Sequence, residues 1–364
     1  MELYIFDMEL NFQGIIESFI SFRWIRRYHK SGSFELHCNL TIDALQLLKI
    51  DNILWLKGDD EAGYIVCRNI KQNSRGEEIL VVKGSFLTSY LDRRINWYQI
   101  THDGLAIDFM KKIINDNAIN PLNPNRKIPL LIFNSDATYK DKISYQNTYG
   151  NVLEQLENIS RITNIGYRIR FDYVNKKLIF ETYKGENRSI NQSNDAPAVF
   201  SREFENILEQ EYMESLDNYK NTVLVAGEGE GTGRKIVTIE EGEGLDRYEL
   251  FVDARDLQSE KENGEKISED KYIEMLVNRG KTKLAELKKV ESFDSKINLK
   301  SNLIYKEDFD LGDIVTVLNK KWGVIIDARI TEIEEVYESN GFNVNIIFGN
   351  DAPGLIEKIK QVVR

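Results

Sequence analysis

Hydrophobic and polar residues alternate with a period of two over much of the chain, and turn residues interrupt the alternation at short intervals. In SFELHCNL, Phe34, Leu36 and Cys38 oppose Glu35, His37 and Asn39, the pattern of a strand with one buried face. The same reading predicts strands over Leu3–Leu10, Gly14–Arg27 (carrying Phe19, Phe22 and Trp24), Asn52–Leu56 and Gly63–Gln72. GEEILVVKGS returns after a hairpin tip at Asn73–Gly76. A short helix over Thr41–Leu48, capped by Thr41, interrupts the strands. Many short strands at this spacing predict a barrel or sandwich over residues 1–100.

From Thr101 the pattern changes. Thr101 is expected to cap a helix through DGLAIDFMKKIINDNAI, with Leu105, Phe109, Ile113 and Ile114 on one side. A loop at Asn120–Asn125 and a short strand at Pro129–Phe133 follow. Thr148–Ile165 predicts the clearest helix of the chain. Thr148 or Asn151 starts it, and Val152, Leu153, Leu156, Ile159 and Ile162 line its core side. Gly166–Asp172 and Lys177–Thr182 then read as a hairpin around Asn175-Lys176. Residues 101–190 make an α+β unit.

Residues 191–350 return to strands: Ala198–Phe200, Asn206–Met213, Asn221–Ala226 with Lys235–Ile239 as its partner, Glu249–Ala254 and Phe293–Leu299. A charged loop and a helix starting at Ser268 form an insertion at about 254–290. Asp308–Gly349 is the most regular stretch, with a turn at Asn319–Lys321 and a hairpin signal at Ser339-Asn340-Gly341. In its long strand, Ala328, Ile330, Glu332 and Glu334 share one parity, and Thr331, Ile333, Glu335 and Tyr337 the other. A bulge would reconcile the apolar positions. The strand is longer than a small barrel needs, so part of it is expected to cross a subunit boundary. Residues 351–364 read as an amphipathic helical tail, expected to dock on another chain or on a C-terminal neighbour.

The chain therefore reads as mainly β with α+β insertions. The segment from Ile53 to Gly84 parallels that from Asp313 to Gly349: strand, tip, long strand, polar turn, apolar return ending in glycine. That similarity points to two barrels of like topology. Candidate interface residues come from the closing hairpin and the tail: Trp322, Ile326, Ile330, Ile333, Tyr337, Phe342, Ile346, Leu355 and Ile359.

Charge and chemistry narrow the function. The 364 residues carry a formal net charge of −11, which argues against a sequence-specific or wrapping DNA binder. No apolar run is long enough to span a membrane, and the N-terminus lacks the features of a secretory signal. Cys38 and Cys67 lack a metal-site or redox spacing and read as reduced thiols. The glycine-rich GEGEGTG at Gly227–Gly233 lacks the Lys-Ser/Thr of a phosphate loop and reads as a hairpin tip. His29, His37 and His102 are scattered, and Asp59, Asp60 and Glu61 lack a calcium-loop pattern. No nucleophile motif occurs. A pair of glycosidase carboxylates stays open as an alternative, because acidic residues abound. No catalytic, cofactor-binding or metal-ligating residue is assigned.

WIRRYHKSGSFELHCNL, GSFLTSYLDRRI, NTYGNVLEQLENISRITNIGYRIRFD with KLIFETYKGENRS, and the span from DFDLGDIVTV to GFNVNIIFG together resemble the hub proteins of bacteriophage and prophage tails. These hub-type tail proteins of siphophages and prophages are similar to the central baseplate hub of contractile phages. The resemblance covers nearly the whole chain. It implies two tube-like β-barrel domains per chain, at 1–100 and 191–350, flanking the α+β domain. It also implies a homotrimeric ring of pseudo-sixfold symmetry, matching a hexameric tail tube on one side and a trimeric spike or fibre on the other. Tail tube protein, spike or fibre and other baseplate proteins are the implied partners, in a virion tail or tail-like particle assembled in the bacterial cytoplasm. DNA would pass through a lumen without sequence-specific binding. Many siphophage relatives carry a C-terminal peptidase, lysin or fibre domain; by the resemblance, any wall-cleaving or receptor-binding activity is expected to lie on a separate protein. The alternatives are a tail-associated cell-wall glycosidase or peptidase and a receptor- or glycan-binding tail module.

Overall fold

A computed structural model describes residues 1–349 except Asn73, Arg75, 135–137, 261–263 and Asn340. The predicted tail helix, with Leu355 and Ile359, lies outside the described residues.

The N-terminal unit contains β1 (Leu3–Phe6), β2 (Phe12–Ile16), β3 (Ser21–Arg27), β4 (Ser33–Asn39), α1 (Ile42–Leu47), β5 (Ile53–Leu56), β6 (Gly63–Gln72) and β7 (Glu78–Phe86). Gly14–Arg27, expected as one strand, is two: β2 pairs β1, while β3 pairs β4. The Thr41 cap is as expected, its side chain accepting from the Ala44 amide. Alternation in β3 and β4 buries Phe22, Trp24, Phe34 and Leu36 against Leu3 and Ile5 of β1, so the sheet curls around one core. Its other face, with Phe6, Ile53, Trp55 and Tyr64, packs on the next unit.

That middle unit contains β8 (Ile100–Leu105), α2 (Ala106–Ile114), β9 (Leu131–Phe133), β10 (Lys142–Asn147), α3 (Val152–Thr163), β11 (Gly166–Asp172) and β12 (Lys177–Tyr183). Thr101 does not cap a helix. Residues 100–105 pair antiparallel with β10, and the helix starts only at Ala106. Strand pairing satisfies the backbone over a stretch that helix periodicity alone would have claimed. The second helix starts at Asn151, whose side chain accepts from the Glu154 amide, and stops at Asn164 in the left-handed region.

Next come β13 (Asn187–Arg188), β14 (Val199–Ser201) and β15 (Ile207–Ser215), then β16 (Thr222–Ala226), β17 (Ile236–Ile239), β18 (Glu249–Asp253) and α4 (Glu269–Glu286). The last four depart from expectation. The strands at 222–253 form their own mixed sheet, with β16 between β17 and β18. Val223, Val225 and Val252 bury against Tyr272, Met275 and Leu276 of α4. Residues 216–289 are thus a small α/β unit with its own core, inserted as a whole. Ser268 sits at the helix N-cap without a side-chain cap bond.

β19 (Val290–Ile297), β20 (Ile314–Asn319), β21 (Val324–Glu338) and β22 (Gly341–Gly349) complete the chain. The expected bulge lies in β21 between Ile330 and Glu332. Buried residues change parity across it, from Ala328 and Ile330 to Ile333 and Glu335.

All strands of both β units join one sheet of order β15-β19-β22-β21-β3-β4-β7-β6-β5-β1-β2, with β20 between β21 and β13/β14. The two halves match in order: β3-β4-β7-β6-β5-β1 against β15-β19-β22-β21-β20-β14. Their middle strands carry a bulge at the same step, Ile65/Cys67 in β6 and Ile330/Glu332 in β21. One pairing differs in sense: β1 is antiparallel to β5, whereas β14 is parallel to β20. Among the described residues no strand pairing closes either half into a barrel.

Candidate assembly surface

The join between the halves is the β3–β21 seam. Ser21–Arg27 run antiparallel to Glu332–Glu338. The length of β21 is used inside the chain: its first half pairs β20, its second half lies between β22 and β3. This accounts for the long strand, and the expected subunit crossing is not needed to explain it.

The seam is charged with opposite signs. β3 brings Arg23, Arg26 and Arg27, and β21 brings Glu332, Glu334 and Glu335. Arg27 Nε donates to Glu332 at 2.6 Å and Arg23 Nε to Glu334 at 2.7 Å on the outer face. On the inner face Arg26 Nη1 donates to Asp310 at 2.7 Å and to the Tyr305 hydroxyl at 3.2 Å. Burial opposes the Arg26 charge, but Asp310 and Asp59 outweigh it and hold its pKa well above the ordinary value. Burial likewise pushes Asp310 up, and Arg26 reverses the effect and holds the carboxyl below its usual range. Glu335, fully buried, accepts from Tyr305 at 2.7 Å and Tyr337 at 2.5 Å, with Lys306 at 3.2 Å. Such buried charges are tolerable only when paired and hydrogen-bonded.

The network continues into the middle unit. Lys306 also reaches Asp59 at 3.3 Å. Arg168 bridges Asp60 at 3.0 Å and Glu181 at 2.7 Å. Beside them Glu61 is buried, and desolvation pushes its carboxyl up to about 8 against the pull of Arg26 and Arg168. Tyr28, at the end of β3, is fully buried and donates to the Asn164 carbonyl at 2.8 Å. Gly312 has φ +95° and lies against the Tyr28 ring where a Cβ would come within 2.5 Å, so this corner takes glycine. Three units therefore lock at the base of one seam.

The predicted interface residues divide. Ile330, Ile333 and Ile346 are buried in the core of the C-terminal half and present no side-chain surface to a partner. Ile326 is half-buried beside that core. Tyr337 stacks between Phe22 and Phe342, 6.1 and 4.6 Å away. Trp322 lies in the β20–β21 turn, 46% exposed, and Phe342 is 38% exposed. Hydrophobicity alone singled out these residues. The charged seam was missed, although WIRR and TEIEE are complementary in the sequence.

Chemistry elsewhere has structural explanations. His29 Nδ1 lies 2.7 Å from Ser160 Oγ, but Ser160 is fully buried. Burial, with Arg161 and Arg329 nearby, pushes His29 down to about 3, so it is neutral at ordinary pH. Gly227–Gly233 connects β16 to β17. Among the described residues no cluster of His, Cys, Asp and Glu could hold a metal ion, and no helix is long and apolar enough to cross a membrane.

The same fold occurs in phage tail proteins of solved structure. The 43 kDa tail protein of prophage MuSo2 from Shewanella oneidensis matches with a TM-score of 0.58 at 11% identity, over 96% of this chain and 98% of that one. The tail protein from Neisseria meningitidis MC58 matches at 0.59 and 12%, over 96% of each. Prophage tail protein gp18 from Listeria monocytogenes EGD-e matches at 0.57 and 13%, over 100% and 98%. No curated protein matches. The chain belongs to the Siphovirus ReqiPepy6 Gp37-like protein family, whose profile matches residues 2–350.

Proposed function

We propose that the protein is a structural hub of the tail baseplate. Three chains form a ring in which each contributes two similar β units, giving pseudo-sixfold symmetry. One face of the ring matches the hexameric tail tube, the other a trimeric spike or fibre, with other baseplate proteins around it. The particle is a phage tail or a tail-like bacteriocin, assembled in the host cytoplasm. One observation carries this reading: two halves of matching strand order, each with its bulge at the same step, are joined side by side in one sheet. A chain that repeats a unit once converts threefold assembly into a near-sixfold surface. Exposed Trp322 and Phe342 are candidate contacts for the tube or spike.

Light scattering and negative-stain images of the purified chain test the proposal. A threefold mass and a ring with a central hole support it. A chain that is monomeric at every concentration, with or without its spike protein, overturns it. Release of muropeptides from purified cell wall, abolished by changing one carboxylate, would favour a wall-degrading enzyme instead.

A further inference from the structure

We infer that the seam inside the chain is repeated between chains: the free edge of β15 in one copy pairs with the outer half of β6 in the next. This rests on the ring reading and specifies its contact. The correspondence of the halves fixes the register. Aligning the two bulges matches Ile65 with Ile330 and Cys67 with Glu332. Their partners then match Gly84 with Phe348, and through β4 and β19, Phe34 with Phe293. One strand further, Trp24 matches Tyr212, Arg23 matches Glu211, Arg26 matches Glu214 and Arg27 matches Ser215.

β3 uses its outer edge to pair β21. Among the described residues β15, its counterpart, has β19 as its only strand partner. Likewise β6 beyond its bulge pairs only β7. Transferring the seam register sets Ser215 opposite Cys67, Glu214 opposite Arg68, Tyr212 opposite Ile70 and Glu211 opposite Lys71. The charges are complementary, with signs reversed from the seam inside the chain. β15 carries three glutamates and no Lys or Arg, while β6 carries Arg68 and Lys71 and no acid. Arg68 Nε is buried and finds no acceptor among the described residues. Tyr28 donates its amide to Thr331 at the end of the seam. The counterparts of those two residues, Leu216 and Val66, are 49% and 51% exposed and would cover each other. The contact is head-to-tail, the type that closes a ring, and it pairs edges that are otherwise aggregation templates.

A cysteine at one position tests the register. Cys67 is an exposed free thiol, whereas Cys38 is buried. The Arg27–Glu332 step follows the hydrogen-bonded Tyr28–Thr331 step, so its counterpart Ser215–Cys67 is a close, non-hydrogen-bonded pair suited to a disulfide. Full-length Ser215→Cys treated with a mild oxidant should give covalent oligomers on a non-reducing gel, and Cys67→Ser should abolish them. Lys71→Glu should weaken self-association about tenfold or more, and Lys71→Glu with Glu211→Lys should restore it. An oligomer of the ring mass that neither cross-links nor responds to these charges overturns the seam and leaves the ring reading standing. A monomer that never cross-links overturns both.

Discussion

Arg27 on β3 and Glu332 on β21 stand directly opposite each other, their side chains joined at 2.6 Å, although 305 positions separate them. The pair belongs to the seam that makes two β units one sheet. Its side chains are 24% and 19% exposed, so water screens it only in part. Reversing either charge should cost about 1 kcal/mol, and reversing both should recover most of it. A double-mutant cycle by urea unfolding measures the coupling. Additive single effects would remove this pair from the seam's stability.

Arg26 differs because its side chain is only 5% exposed. Arg26→Met leaves Asp310 without its buried cation. Removing one partner of a buried pair costs about 3–5 kcal/mol. The low end, about 3 kcal/mol, is expected because Asp310 remains 41% exposed and keeps some hydration. Unfolding midpoints of the full chain read the effect, and Asp310→Asn in the same background should recover part of the loss.

Gly84 lies under the Phe34 ring, where an added Cβ would sit 2.1 Å from the ring and 2.3 Å from the Tyr64 carbonyl. Gly84→Ala should destabilise by about 1–3 kcal/mol through overpacking. Phe34→Leu combined with Gly84→Ala should lose less than the two single changes summed, because the smaller side chain vacates the clash. Calorimetry on the three variants checks the non-additivity.

Glu61 gives the fold a pH dependence. Its folded pKa, about 8, lies above the ordinary carboxyl value of 4.5, so the folded state holds the proton that the unfolded chain releases. Its stabilising contribution is complete below about 4.5 and is lost as pH rises toward 8. Glu61→Gln keeps the shape without the titration. Relative to the parent chain, it should melt higher at pH 8.5 than at pH 5.5. Melting differences equal at both pH values would contradict the burial of that carboxyl.

Local physics was readable in the residues. Period-two alternation locates β4, and apolar positions at helical spacing behind an Asn cap locate α3. The parity change at Ile330–Ile333 announced a bulge, because side chains can change face along a strand only by inserting a residue. The repeat of strand–long strand–return was also legible, since each half solves the same packing problem with the same periodicity.

Pairing between distant strands was decided by the tertiary structure. An isolated strand specifies which of its faces is buried but not which neighbour takes its edge, because backbone hydrogen bonds are alike at every residue. Thus Asn221–Ala226 and Glu249–Ala254 looked like parts of the C-terminal barrel, yet α4 covers them as a separate sheet. Ile330, Ile333 and Ile346 looked like interface residues, yet the core takes them. The length of the closing hairpin's long strand predicts a reach to another chain. Its charges instead find β3 of the same chain, because only the folded arrangement brings WIRR and TEIEE edge to edge.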